Sequence, residues 1–335
     1  MSAVKYKKPK ALLAAIAAVC ILALVAASCF LFGGRAPTLS NPDADKTTAA
    51  VYRYLCETEG IACLSAQQES TWMDSADYEM NILSTATGKL PAMRGFDYMN
   101  DDFEGVNARA INWWQQGGLV TVCWHCGSDF SGAWAEAMES DLPDWDAALT
   151  DGTPENKALL NGMDKAASAL SELQSAGVTV LWRPFHEFDG QWFWWGKGGP
   201  QNFRKLWRMM YTRYTEHWHL NNLIWVLGFS HNGKDCAKWY PGSRYCDIVG
   251  ADSYDGGAQP QLYKKVKHVA NGKPLCFHEC GANPTVEELQ ETPWLWFMTW
   301  HTEYLTDNNT DASLSALYNS EYVVTRDELP DFRAP

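Results

Sequence analysis

Eight short runs rich in β-branched, aliphatic and aromatic residues recur along the chain, at Ile61–Ser65, Leu90–Tyr98, Leu119–His125, Val178–Glu187, Asn222–Ser230, Cys246–Tyr254, Pro274–Cys280 and Trp294–Trp300. Each is nearly continuous in apolar residues rather than alternating, which is the pattern of strands buried on both faces. Helical spacing appears between them. In Asn161–Ala176, residues Met163, Ala166, Ala167, Leu170 and Leu173 fall on one face, and Asn202–His217 shows the same periodicity. Alternation of this kind predicts a parallel sheet with crossover helices. Eight such units suit the size of a closed (β/α)₈ barrel of about 250 residues. An open doubly wound sheet has the same alternation, but no Gly-rich phosphate or dinucleotide fingerprint follows an early strand. No repeat, low-complexity tract or second linker interrupts residues 49–335, so this stretch is expected to be a single α/β barrel domain.

The N-terminus departs from this pattern. Lys5, Lys7, Lys8 and Lys10 precede residues 11–32, which are apolar except for Ser28. Residues 1–35 therefore read as an export signal, either a cleaved signal peptide or, since the run is long enough to span a bilayer, an uncleaved anchor. Cys29, after Ala26-Ala27-Ser28, loosely resembles a lipoprotein box, but Phe30-Leu31-Phe32 continue the apolar run. Residues 36–48 are polar and read as a linker. The expected location is outside the cell or at the outer face of its membrane.

Composition narrows the choice of chemistry. The 335 residues include 27 Lys+Arg and 40 Asp+Glu, a net charge of −13. Without the five basic residues of 1–35, the body carries 22 − 40 = −18. With no long basic block, nucleic acid is excluded as a partner. The 17 Trp, 14 Tyr and 13 Phe form a surplus that suits either sugar binding or core packing. Eight cysteines lie beyond the N-terminal segment, at 56, 63, 123, 126, 236, 246, 276 and 280. An even number in an exported chain favours local disulfides, Cys236–Cys246 first among them, with free core thiols as the alternative. Cys123-Trp-His125-Cys126 and Cys276-Phe-His278-Glu279-Cys280 also bring metal-ligand types together. Neither spacing is a clean zinc signature, so no metal and no cofactor are expected.

The predicted strands end unusually, in Arg94/Asp97/Tyr98, Trp124/His125, Arg183/His186/Glu187, Asp252/Tyr254, His278/Glu279 and Trp300/His301. In a barrel these converge on the C-terminal face, where catalytic residues sit. Burying charge there is costly unless the charge is paired or used. Glu187 and Glu279, each directly preceded by His, are 92 residues apart, three βα units of roughly 31 residues, which places them on strands 4 and 7. Two carboxyls facing one another across a cleft can serve as proton donor and nucleophile in glycosidic cleavage, a gap of roughly 5–5.5 Å giving retention. Trp192-Phe193-Trp194-Trp195 would exclude water near Glu187 and raise its pKa, making it the donor. Arg183, Tyr254 and His186 would keep Glu279 ionised. Taken alone, either Glu also fits an ion pair with a barrel Arg.

Leu181-Trp-Arg-Pro-Phe-His-Glu-Phe-Asp-Gly-Gln-Trp-Phe-Trp-Trp-Gly196 closely resembles the acid/base segment of glycoside hydrolase family 26, best known for endo-β-1,4-mannanases. The resemblance continues through Leu64-Ser-Ala-Gln-Gln68, Pro91-Ala-Met-Arg-Gly-Phe-Asp-Tyr98, Val122-Cys-Trp-His125, Ile248-Val-Gly-Ala-Asp-Ser-Tyr254, His278-Glu279, Trp296-Phe-Met-Thr-Trp300 and Leu317 to Leu329. It covers nearly all of residues 60–330. It implies a retaining endo-β-mannanase, a monomer acting on plant β-mannan or a related polysaccharide without a cofactor. Glu187 is then the acid/base and Glu279 the nucleophile, Tyr254 hydrogen-bonds the nucleophile, and His186 stands beside the acid/base. His125, Trp192 and Trp300 form the shell around the sugar, with Trp124, Trp194, Trp195 and Asp252 as further candidates. Cys280 and His301 depart from residues the family often carries after the nucleophile and after the strand-8 Trp. Mixed-linked β-glucanase activity on the same two glutamates, a non-catalytic carbohydrate-binding barrel and a metal-dependent hydrolase are the competing functions.

Overall fold

A computed structural model describes residues 38–333. The proposed export segment and the possible lipidation site lie outside the described residues. Among those described, no helix is long and apolar enough to cross a membrane.

Eight parallel strands close on themselves: β1 (Cys63–Gln68), β2 (Met93–Asp97), β3 (Leu119–Cys123), β4 (Val180–Trp182), β5 (Leu223–Phe229), β6 (Ile248–Ser253), β7 (Leu275–Cys280) and β8 (Trp296–Thr299). Each pairs with its successor, and β1 pairs with both β2 and β8, so the barrel has no open edge there. Every residue of these eight strands is buried. That is the condition the continuous apolar runs anticipated. A ninth strand, β9 (Val323–Val324), adds beside the lower part of β1 through Cys63 and Leu64, and an isolated bridge joins Thr325 to Pro91. It plugs the seam between β1 and β2 at the base of the barrel.

Helices cover the outside. Pro154–Ser175 starts at Thr153, whose Oγ1 accepts from Asn156 N (3.0 Å), with Pro154 in the first turn where its missing N–H costs nothing. Its apolar stripe Leu159, Met163, Ala166, Ala167, Leu170 and Leu173 is buried against the sheet. The helix anticipated over Asn202–His217 runs from Gly199 to Thr212, and its last turn widens to π geometry over Arg213–His217. Between sheet and helices lie Trp182, Trp207, Trp225, Trp294 and Trp296, all fully buried. Most of the Trp surplus therefore belongs to the core, where each ring contributes about 2–3 kcal/mol of apolar burial.

Two expectations are corrected. Residues 38–48 are not a free linker: Ser40 N donates to Asp247 Oδ1 (2.6 Å) and Asp45 N to Asn221 O (2.8 Å). Asn41 Nδ2 donates to Leu220 O (3.2 Å), and Asp45 caps the helix Lys46–Thr58. The segment is docked onto the ends of β5 and β6 opposite the cleft. Second, β4 stops at Trp182 rather than Glu187. Pro184 has no N–H for the ladder, and Phe185 (φ 49°) and Glu187 (φ 56°) occupy the left-handed region that side chains rarely adopt.

Candidate active site

The early end of β4 sets the geometry of the whole site. Arg183 N still donates to Val122 O (2.9 Å), then the chain turns so that Glu187 N donates to Gly228 O (2.8 Å) on β5. This lifts the Glu187 carboxyl out of the barrel lining and into a cleft of about 820 Å³ at the C-terminal ends of the strands. Strained backbone held by surrounding structure is characteristic of functional sites. Glu187 and Glu279 line this same cleft.

Their surroundings differ. Burial, and next the charge of Glu279, push the Glu187 carboxyl up to about 7. Trp192 Nε1 donates to its Oε2 (2.8 Å), a bond that works in the opposite direction. The Trp cluster thus acts partly against the direction expected from sequence: Trp192 supplies a hydrogen bond, while Phe193, Trp194 and Trp195 are buried and supply the apolar surroundings. Glu279, by contrast, lies within β7, where the pairing with β6 and β8 shifts register, and forms a buried salt bridge through Oε1 to Arg183 Nη1, while Tyr254 Oη donates to its Oε2 (2.8 Å).

Arg183 is itself held. His278 Nε2–H donates to Phe229 O (2.9 Å), which fixes the tautomer and leaves Nδ1 to accept from Arg183 Nη1 (3.2 Å). Burial and the guanidinium keep the His278 ring neutral, its pKa well below the usual imidazole range. Gly228 makes room for that ring, since a Cβ there would stand 2.6 Å from His278 Nε2. His186 is equally buried and equally neutral, for the same two reasons. Its Nε2 lies 3.4 Å from Glu279 Oε1. His186 therefore stands beside Glu279, as anticipated together with Arg183 and Tyr254, and does not line the cleft.

His125, Trp192, Tyr254 and Trp300 all line the cleft. His125 Nδ1 meets Asp97 Oδ2 at 2.5 Å, and Asp97 Oδ1 accepts from His125 N (3.0 Å). Burial opposes charge on the ring, but the Asp97 carboxylate outweighs it and holds the imidazole above its ordinary value. Trp124 and Trp195 are corrected. Trp124 packs between Phe103 (5.7 Å) and Phe130 (5.3 Å), and Trp195 Nε1 donates to His186 O (2.8 Å) with its ring fully buried. Trp194 likewise donates inward, to Cys126 O (2.9 Å). In the run 192–195, only Trp192 turns to the cleft, because Gln191 (φ 62°) reorients the chain just before it. Asp252 is fully buried and held strongly towards its protonated form by burial and by Glu187.

Sequence reasoning missed Trp72, Trp134, His231 and Tyr304 in the cleft wall. His231 stacks on Trp192 (5.7 Å, 17°) and follows strand 5 directly, so the strand-end rule applied to every strand finds it. Trp72 is a single aromatic in a polar loop and Trp134 opens the short helix Trp134–Glu139, and neither carries a pattern to mark it.

The cysteines are corrected too. All eight among the described residues are free, including Cys236 and Cys246. The two Cys/His segments do not act as units. Cys123 and His125 converge with Asp97, while His278 converges with Asp252 and Glu279, leaving Cys126, Cys276 and Cys280 aside. Burial drives the Cys123 thiol far above its usual range, and in the second group the Arg183 guanidinium is bonded to both Glu279 and His278. Neutral thiol and fixed cation make both poor metal donors.

Comparison with known proteins follows this geometry. Residues 40–328 match the model of glycosyl hydrolase family 26. A mannan endo-1,4-β-mannosidase of Thermothelomyces thermophilus is 34% identical over 316 residues, covering 87% of this chain and 63% of the relative. Mannan endo-1,4-β-mannosidase B of Piromyces sp is 32% identical, covering 88% and 54%. The chain thus spans less than two thirds of the length of these relatives. Among solved structures, a β-mannanase from a symbiotic protist of the termite Reticulitermes speratus, complexed with gluco-manno-oligosaccharide, superposes with a TM-score of 0.82 at 29% identity, covering 88% of this chain and 98% of that one. A barrel closed by eight βα units, with two carboxyls in its C-terminal cleft, joins these matches over nearly the whole body: the chain belongs to glycoside hydrolase family 26.

Proposed function

We propose that the protein is a retaining endo-β-1,4-mannanase acting on mannan, galactomannan or glucomannan. The observation that carries the reading is the pairing of unlike carboxyls in one cleft: Glu187, held up to about 7, beside Glu279, salt-bridged to Arg183 and bonded by Tyr254. In the first step Glu279 attacks the anomeric carbon while Glu187 gives its proton to the departing glycosidic oxygen. A covalent glycosyl ester and a free reducing-end fragment of the chain result. In the second, Glu187 takes a proton from water, the hydroxyl attacks the anomeric carbon, and the ester bond to Glu279 breaks with net retention. His125, whose imidazole Asp97 holds above its ordinary value, faces the reacting sugar, and Trp192 and Trp300 offer it ring faces. The mannan preference is supported by the names of the relatives and by the oligosaccharide in the termite-symbiont structure. The Lys-rich start and apolar run of residues 1–35 support action outside the cytoplasm, and the proposed unit is a monomer.

The test is product release by purified protein on galactomannan, glucomannan and mixed-linked β-glucan, with NMR of the first-formed anomer. Release of β-configured oligosaccharides from the mannans is expected. Cleavage of β-glucan alone overturns the substrate, an α-anomer overturns the mechanism, and binding without cleavage moves the carbohydrate-binding reading to the front.

A further inference from the structure

Cations are unevenly placed on this acidic body. Residues 197–273 carry 12 of its 22 Lys+Arg and only five acids, Glu216, Asp235, Asp247, Asp252 and Asp255, of which Asp247 and Asp252 are fully buried. Residues 274–325, by contrast, hold eight acids and no Lys or Arg. No run of consecutive basic residues marks the first stretch, because the fold is what gathers it. The helices Gly199–Thr212, Cys236–Trp239 and Pro260–Ala270 pack side by side outside the barrel and form one face.

Few of these charges are neutralised within the protein. Among the described residues, only Arg213 and Lys238 of the twelve form ion pairs, with Asp164 (2.6 Å) and Asp235 (2.8 Å). Arg204 and Arg208 donate to backbone carbonyls, Lys238 O and Pro241 O (2.9 Å). Lys205, Lys234, Lys264, Lys265 and Lys267 are exposed. Like charges gathered on one face repel one another until an anion joins them. Two grooves run between them. Lys205, Arg208 and Arg213 line one of about 570 Å³ together with His217, and Lys264, Lys265 and His268 line another of about 550 Å³ together with Gln261. The acids in their walls are Asp151 and Glu216 in the first and the already paired Asp235 in the second.

The chemistry of the face selects its partner. Exposed large apolar side chains, of the kind that enter a bilayer, lie elsewhere, at Ile61, Trp72, Trp134 and Leu142. Grooves flanked by exposed lysines suit a flexible chain with charges along it. Three of the guanidinium forks, the better fit to phosphate, are engaged within the protein, and the free heads are mainly ammonium point charges that match single carboxylates. The cleft has no Lys or Arg in its lining, so an uncharged substrate and a polyanion do not compete.

We propose that this three-helix face is a docking surface for an acidic polysaccharide, one that carries carboxylates along its chain. The docking stands without the mannanase reading; its use, which is to hold the enzyme beside uncharged mannan in a mixed matrix, rests on that reading.

The experiment measures retardation of the full chain in native gels containing polygalacturonate or galactomannan. Polygalacturonate should retard the wild type at low ionic strength and release it in about 1 M salt, where the Debye length is about 3 Å. Lys205→Gln/Lys264→Gln/Lys265→Gln should weaken this binding about tenfold, the size of three modest charge contacts. Lys46→Gln/Arg53→Gln/Lys157→Gln removes as much charge from other parts of the surface and should leave the binding intact. Both triple variants should keep the wild-type unfolding temperature and kcat/KM on galactomannan alone. Absence of retardation by polygalacturonate, or equal weakening in the two triple variants, overturns the docking face. Binding to phosphatidylcholine vesicles that rises with added phosphatidylglycerol and falls in the first variant, without retardation by polygalacturonate, assigns the face to a lipid surface and overturns the polysaccharide. Retardation by polygalacturonate with no cleavage of mannan leaves the docking face standing and overturns the mannanase reading.

Discussion

Two His-Glu dipeptides, 186–187 and 278–279, are identical in sequence and opposite in structure. The second lies within strand β7, at a shift in its pairing with β6 and β8 that skips His278, where His278 is bonded on both nitrogens and Glu279 is bonded on both oxygens. The first lies beyond the end of β4, where Glu187 has φ 56° and His186 has no hydrogen-bond partner at either nitrogen. The difference comes from what precedes each pair. Leu275-Cys-Phe leads into a strand that runs on to Cys280 through a register shift, while Arg183-Pro184 ends its strand. One pair is locked into the barrel wall, and the other is released from it, so one carboxyl is held by a cation and the other is left in apolar surroundings with a raised pKa.

Breaking the locked side should have the largest effect. Glu279→Ala is expected to lower turnover on the order of 10⁵-fold. Added azide should restore activity with a glycosyl azide of inverted configuration, and restoration with retained configuration would sink the nucleophile assignment. On the released side, Glu187→Ala should cost about 10²–10⁴-fold on polysaccharide. An aryl mannoside with a phenolic leaving group needs little protonation and should suffer far less, so equal losses on both substrates would remove the donor role. Arg183→Met sharpens the contrast by taking away the cation that distinguishes the two sides. Leaving Glu279 and His278 without their partner should cost about 3–5 kcal/mol in denaturant unfolding, and a change below 1 kcal/mol would mean the pair holds nothing.

The smallest effect concerns pH. Glu187 must be protonated to act as donor, and its raised pKa keeps the proton up to about 7, so kcat/KM should fall as pH rises through that value. Trp192 Nε1 donates to the ionised form. Removing it in Trp192→Phe should shift this alkaline limb upwards, and a downward shift would contradict the role of that hydrogen bond.

The barrel was legible because eight continuous apolar runs at even spacing have few other uses. Glu187 and Glu279 were legible because charges at the ends of buried strands are rare. The turn that separates them was written only as Pro184 inside an apparent strand, and the full reach of its effect, with Phe185, Glu187 and Gln191 all at positive φ, depends on contacts with β5 and the following loop. For the same reason sequence could not divide Trp192 from Trp194 and Trp195. Loop aromatics such as Trp72 carry no periodicity at all. Residues 38–48 read as a linker because polarity is shared by free chain and by chain that hydrogen-bonds to a protein surface. The cysteines misled through their even count, since all eight are free thiols within the packed body.

Those thiols have a practical consequence. Seven of the eight are buried and the remaining one, Cys56, is half-buried; burial drives the Cys56 thiol up to about 12, so little thiolate is available to react. With no covalent cross-link among its described residues, this body should fold without an oxidation step. Folding in the reducing interior of a cell is then expected to proceed as well as outside it, and reducing agents added during purification or to an assay should leave its unfolding temperature where it was.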